Sequence, residues 1–546
     1  MGGLLLAGIV GCQDTTGERS AEMLLQQEGQ NGGHAVGLQT PQISTPQAQY
    51  FVNLIQEPNE QKPEEEEFSP IFEGWDKHEL VLFITGRQHG YIEPCGCAGL
   101  DQMKGGLMRR HALLKVMLEK GWPVVKLDMG DQVHRLGPQA QIKLESTYKA
   151  LRGVMGYDAI GLGPGELGLD PFPVYSILLN TAAAEETVSP FVSANAAIYD
   201  DRDQVPQFQV IERNGYKVGV TSVVSHSFFK GIDTMEEGRD VTIASPEDAL
   251  NEVVPKLMAE KCQVNILLAY VPEEESVELA KKYPQFNFIV NEGVEGEPDG
   301  NLDYIDVDGR KVGIMQMGYK SMFAGAIGIY KKDGQPVRYQ KIPLDHRFTD
   351  TEPMKEMFKN YQMALENKGL KELVGDPVPH PSGWTYVGSE ACAECHEDAY
   401  DVWANGTKAW KEKHPDMPGP HSKATKDLVL PGERTWVKRH HDPECLSCHV
   451  TGWNPQQYFA YRSGYWDFEK DQALHGSGCE NCHGPGSQHV AIENGDIEVS
   501  EEEAKKVLNA IFLDKKVAQQ DLCATCHDLN NSPQFDFDSY WPMIEH

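Results

Sequence analysis

Four C-x-x-C-H pentapeptides constrain this chain more than any other feature. They are Cys392-Ala-Glu-Cys395-His396, Cys445-Leu-Ser-Cys448-His449, Cys479-Glu-Asn-Cys482-His483 and Cys523-Ala-Thr-Cys526-His527. Two thiols at this spacing reach the two vinyl groups of a haem, and the adjacent imidazole meets the iron from the same side. Zinc knuckles also use C-x-x-C, but they do not require His directly after the second Cys. A dithiol redox motif occurs once, at a strand-to-helix junction, and not four times in a loop-rich segment. Eight of the twelve cysteines are used this way, which predicts four covalently bound haem c groups. The haems then take the place of an apolar core in a segment with few Leu, Ile and Val.

Each iron has a second axial position, and its ligand separates a closed carrier from a site open to small molecules. Eleven of the 19 His lie after residue 384, and seven of them are outside the motifs: His414, His421, His440, His441, His475, His489 and His546. Seven candidates for four positions make bis-His coordination feasible. For each one, the alternative is an exposed or hydrogen-bonded imidazole.

The net charge of −33 excludes the basic footprint that nucleic-acid binding needs. It predicts redox partners that present a positive patch. No apolar run is long enough to span a bilayer. The N-terminus, MGGLLLAGIVGC, instead resembles a lipoprotein signal peptide over residues 1–12, with Cys12 as the lipidated residue. No Lys or Arg precedes Cys12, so a plain or truncated secretory signal is the alternative. Both place the chain outside the cytoplasm, with membrane contact only through a lipid on Cys12. Residues 13–76, with the acidic run NEQKPEEEE, read as a linker unable to bury a core.

Residues 77–345 carry an α/β pattern. ELVLFIT, PVVKLD, DAIGLG, KVGVTSVV and VNILLAY are short apolar runs bounded by Gly, Pro or charge, which predicts buried strands. GGLMRRHALLKVMLEKG and AQIKLESTYKALRGVMG repeat their apolar residues at three and four, which predicts helices closed by Gly. A hairpin is expected around Asp308-Gly309. Alternating strands and helices imply a sheet covered on both faces. Residues 346–383 form a connector with one amphipathic helix over 351–373, and residues 384–546 hold short helical pieces and turns.

The C-terminal part resembles the cytochrome c-552/4 family, the tetrahaem carriers related to cytochrome c-554. The resemblance runs through YVGSEACAECHEDAYDVWANGTKAW, HSKATKDL, DPECLSCHVTGW, GSGCENCHGPGSQHV and CATCHDLNNSPQFDFDSYWPMIEH. It implies a mostly helical, loop-rich fold with closely packed haem pairs. It implies distal ligands at His421, His489 and His546; His441, just before DPECLSCH, is the fourth candidate. In some relatives one haem is five-coordinate.

Residues 78–330 resemble the calcineurin-like metallophosphoesterases, in the 5′-nucleotidase branch. The carrying segments are LVLFITGRQHGYIEPCGCAGLDQMKGGLMRRHALL, VVKLDMGDQV, GYDAIGLGPGELGL, FVSANAAI and GYKVGVTSVV. The resemblance implies two β-sheets flanked by helices and a two-metal site. That chemistry needs carboxylate, imidazole and Asn ligands to hold both ions. Arg87-Gln88-His89 stands in place of D-x-H, so a cation replaces a carboxylate. Gly130-Asp131 keeps the metal-bridging acid. Gly163-Pro164-Gly165-Glu166 lacks the Asn and His of G-N-H-E/D, Tyr270 stands where a His is expected, and FIVNEGVEG lacks G-H-x-H. A cation beside a dication site costs several kcal/mol, so an inactive scaffold or docking module is expected. Cys95-Gly96-Cys97 bridge each other poorly; they read as a turn, a disulfide to elsewhere, or a redox or metal pair. The expectation is an electron carrier. The alternatives are a multihaem oxidoreductase acting on a nitrogen compound at a five-coordinate haem, and an active 5′-nucleotidase-like hydrolase.

Overall fold

The computed structural model describes residues 70–546 apart from 76–77, 95–102, 182–187, 230–239, 294–295, 331–336, 430–435, 529–530 and 533–534. The expected signal segment with Cys12, the expected linker up to residue 69 and the Cys95-Gly96-Cys97 sequence lie outside the described residues. Residues 71–75, near the end of the expected linker, already belong to the body. Phe72 and Trp75 are buried against Trp122, with Trp75 and Trp122 stacked at 6.1 Å.

Thirteen strands follow: β1 (Leu80–Thr85), β2 (Val124–Asp128), β3 (Ala159–Ile160), β4 (Ala196–Ile198), β5 (Gln209–Arg213), β6 (Tyr216–Val224), β7 (Val241–Ile243), β8 (Val264–Tyr270), β9 (Phe288–Asn291), β10 (Asp303–Val307), β11 (Arg310–Gln316), β12 (Phe323–Ile329) and β13 (Arg338–Pro343). They build a five-stranded sheet in the order β13-β12-β1-β2-β3 and a six-stranded sheet in the order β10-β11-β9-β8-β6-β5, with β4 and β7 as a separate pair. The single helix-covered sheet expected from strand and helix alternation is therefore two sheets, the arrangement that the phosphoesterase resemblance implied.

The period-2 geometry of a strand explains the layers. On β8, Ile266, Leu268 and Tyr270 join the large core shared with Leu80–Ile84 of β1. Leu267 and Ala269 point the other way, into a second core closed by the helices Pro246–Ala259 and Glu273–Lys282. VNILLAY is a continuous apolar run because both faces are covered. The β10–β11 hairpin turns at Asp308 and Gly309, both at positive φ (53° and 82°), as a tight hairpin requires.

Two helices depart from expectation. The helix predicted over 351–373 is two, Glu352–Lys368 and Leu370–Val374, because Gly369 takes φ 77° and stops the first. The stretch 140–156 begins as the helix Pro138–Lys149 and ends in a π-turn over Ala150–Val154.

Residues Ile71–His546 form one compact unit. Beyond residue 384 the described residues form only short helices and isolated bridges. The apolar cluster there has seven buried members: Leu428, Leu446, Val450, Trp453, Ala460, Tyr465 and Leu474. So few residues form a thin core for a segment of this length, the deficit that a bulky apolar cofactor would fill.

Candidate functional site

Each motif closes a short helical turn, which brings both thiols and the imidazole to one side. The amide of His396 donates to the Cys392 carbonyl at 2.9 Å, and that of His527 to Cys523 at 2.8 Å. The second and third motifs form the ends or whole of the helices Pro443–His449 and Cys479–His483.

Three of the four motif histidines face another imidazole. Ring centroids lie 6.3 Å apart for His396 and His489, 6.3 Å for His421 and His527, and 6.0 Å for His483 and His546. A metal ion with imidazole nitrogens at about 2 Å on opposite sides separates the ring centres by about 6 Å. The residues therefore fit an axially ligated haem iron at three places.

The second ring nitrogen decides whether an imidazole can ligate. His483 Nδ1 lies 2.8 Å from the Ile511 carbonyl, and His449 Nδ1 lies 2.7 Å from the Ala424 carbonyl. A carbonyl only accepts, so Nδ1 carries the hydrogen and Nε2 keeps its lone pair for a metal. His546 Nδ1 meets the Ile544 carbonyl at 3.0 Å in the same way. Burial depresses the basicity of His483 and His527, and that of His421 to about 4, where burial is joined by the charges of His527 and His449. Neutral rings are the ligating form.

His441 is engaged elsewhere: its Nε2 is 3.3 Å from Glu366 and its ring centre 3.8 Å from that of His440. His475 Nε2 bonds the Phe468 carbonyl at 2.9 Å, and His414 packs on Trp410.

Hydrogen bonds tie the motif regions to one another. The Cys479 amide of the third donates to Ser389 Oγ, three residues before Cys392, at 3.1 Å, and Asn481 Nδ2 donates to the Val450 carbonyl, directly after the second motif, at 2.9 Å. Gln456, beyond the second motif, donates to the Thr525 carbonyl of the fourth. Trp403, His421, Cys479, Cys482, His483 and His546 line one cleft.

Glu480, inside the third motif, was missed by sequence reasoning. Its buried carboxylate accepts from the amides of Val387 (3.0 Å), Gly388 (2.8 Å) and Gly486 (2.7 Å), tying the approach to the first motif onto the third. An acid at an otherwise free x position was the available signal.

In the two-sheet body Arg87, His89, Asp131, Glu166 and Tyr270 converge at one place. Asp131 Oδ2 accepts from His89 Nε2 and Tyr270 Oη, both at 2.6 Å, and Oδ1 accepts from the Gly165 amide at 2.9 Å. Burial opposes the charge on Asp131, but the neighbouring His89 and these donors hold its carboxyl below the usual range. Glu166 accepts from the amides of Asp131, Gln132 and Gly163, and burial, then the Asp131 charge, pushes it up to about 8. Arg87 Nη1 donates to the Glu292 carbonyl at 2.6 Å and lies against the rings of Tyr270 and Tyr319. Arg87, His89 and Asp131 all keep positive φ (49°, 51° and 64°), a conformation costing about 1 kcal/mol or more for each such residue. Both oxygens of Asp131 are held by protein donors, whereas His89 Nδ1 is buried without a hydrogen-bond partner. Among the described residues no group of three or more His, Cys, Asp or Glu could hold an ion.

Comparison with known proteins gives two separate likenesses. Residues 391–484 match the family Cytochrome c554 and c-prime. Cytochrome c-554 of Nitrosomonas europaea is 25% identical over 144 residues, which is 26% of this chain and 57% of that protein. The chain thus spans little more than half the length of this curated relative. Among solved structures, the 5′-nucleotidase precursor of Thermus thermophilus aligns with a TM-score of 0.44 and 17% identity, over 64% of this chain and 66% of that one. The calcineurin-like phosphoesterase YfkN of Bacillus subtilis aligns with a TM-score of 0.41 and 17% identity, over 53% and 97%. Among the described residues no helix is long and apolar enough to cross a membrane.

Proposed function

We propose, for a chain whose residues 391–484 match Cytochrome c554 and c-prime, that it is an extracytoplasmic tetrahaem electron carrier whose two-sheet body is a non-hydrolytic scaffold. The observation that carries this reading is the spacing of His396–His489, His421–His527 and His483–His546, each near 6 Å between ring centres. Cys392, Cys395, Cys445, Cys448, Cys479, Cys482, Cys523 and Cys526 hold four haem c groups by thioether bonds. His396, His449, His483 and His527 are the proximal ligands. When bound, the haems supply reversible one-electron chemistry at iron. The chain's own residues orient the imidazoles through carbonyl acceptors, exclude water and bring neighbouring motifs together.

Lack of hydrolysis is supported by the Asp131–His89–Tyr270 cluster and by Arg87 in place of a carboxylate ligand. Acylation of Cys12 would tether the protein, and the net charge of −33 suits redox partners with a basic face. Low-temperature EPR with a spectroelectrochemical titration tests the reading. Low-spin bis-His signals from at least three haems support it, and a haem-free polypeptide from a host competent in cytochrome c maturation overturns it.

A second reading is a multihaem oxidoreductase acting on a nitrogen compound at one open iron. It is favoured by His441, which faces Glu366 and His440. A high-spin ferric signal that binds nitric oxide or hydroxylamine would select it over the pure carrier.

A further inference from the structure

The hydrogen bonds and ion pairs that cross between the two-sheet body with its following helix and the C-terminal segment gather at residues 439–458, around the second haem motif. Lys143, on the helix Pro138–Lys149, is 8% exposed, and its Nζ lies 2.5 Å from Glu444 Oε2. Glu444 is the residue directly before Cys445. Its neighbour Asp442, 4% exposed, caps the helix Pro443–His449 by accepting from the Glu444 amide at 3.0 Å. The same carboxylate accepts from Gln139 Nε2 at 2.8 Å and Gln362 Nε2 at 3.0 Å. Arg135 and Lys320, also from the two-sheet body, add positive charge around Glu444. In return, Arg439 of the haem segment reaches Glu93 of the body at 2.5 Å.

We infer that the two-sheet body sets the reduction potential of the haem held by Cys445 and Cys448, through the Lys143–Glu444 pair fixed against the attachment residue. The inference rests on the haem reading of that motif. Reduction adds one electron to the iron without breaking a bond, so a nearby cation favours the reduced form and a nearby anion the oxidised form. An exposed pair would be screened by salt, but a pair whose ammonium is buried is screened much less. The carboxylates belong to the haem segment and their compensating cations to the two-sheet body. Docking of the body therefore decides how much uncompensated negative charge the second haem experiences. This gives the two-sheet body a task that needs no metal and no hydrolysis.

The test is a spectroelectrochemical titration of the full-length holoprotein carrying Lys143→Met, Glu444→Gln or both, with haem counted by the pyridine haemochrome assay. Lys143→Met is expected to move one midpoint to lower potential, and the near-isosteric Glu444→Gln to move one midpoint upward. The double variant is expected to bring that midpoint back toward the wild-type value, with haem content unchanged throughout. If haem content is unchanged and every midpoint in Glu444→Gln coincides with wild type, the inference fails while the haem reading stands. Should Lys143→Met not fold, the Glu444→Gln titration decides alone. A wild-type chain without haem would remove the reading beneath the inference as well.

Discussion

His396 and His489 face each other with ring planes 28° apart and centres 6.3 Å apart, although one closes a haem motif and the other sits on the separate helix Ser487–Glu493. Nothing in the apolar packing demands two imidazoles there. The gap between them would admit a metal ion held by both rings.

Replacing His489 by Ala should convert one haem to the high-spin state while leaving covalent haem content unchanged. EPR reports the spin state, and the mass of the denatured chain reports the haem. An unaltered low-spin spectrum would show that His489 is not a ligand.

Replacing Cys479 and Cys482 together by Ala should lower the number of attached haems by one, with a mass loss of one haem in the denatured protein. Retention of the full complement would remove the attachment role of the third motif.

Glu480 accepts three backbone amides from two other stretches of chain. Truncating it to Ala leaves buried donors unsatisfied, at about 1–3 kcal/mol each before relaxation. Glu480→Ala should lower the apparent Tm by several degrees, whereas Glu480→Gln should recover part of that loss. Equal stability in all three proteins would refute the assigned role.

Asp131→Asn removes the anion that His89 and Tyr270 share, and breaking one side of a buried pair costs about 3–5 kcal/mol. Denaturant unfolding of the two-sheet body should register that loss. With added Mn²⁺, cleavage of a chromogenic phosphodiester should stay at background in both proteins; hydrolysis by the wild type would restore the nucleotidase alternative.

Glu166 titrates near 8 when folded, against an ordinary value of 4.5, chiefly because it is buried and then because Asp131 is charged. A raised carboxyl binds its proton more tightly in the native state. Its contribution to stability is complete below about pH 4.5, declines above that, and is fully lost once the pH has risen through about 8. Calorimetry should show the apparent Tm falling between about pH 4.5 and about pH 8, and Glu166→Gln should flatten that slope.

Much of this was legible in the sequence, for reasons that differ by element. VNILLAY maps onto β8 residue for residue, because a strand covered on both faces has no polar side to blur the pattern. The C-x-x-C-H spacing is chemistry written along the chain, so the motifs needed no fold. The partners His421, His489 and His546 came from resemblance; no local pattern distinguishes them from His440 or His475. The break at Gly369 was hidden because a single Gly is tolerated within helical periodicity. The Lys143–Glu444 pair joins residues about 300 positions apart and has no local signature. The same holds for Tyr270: its place where a His was expected was readable, but its phenol bonding to Asp131 was not.

The third motif is a shared strut for the first two. Its Cys479 amide holds Ser389 and its Asn481 side chain holds the Val450 carbonyl. A product truncated before residue 479 would therefore leave both of those stretches without the brace that fixes them.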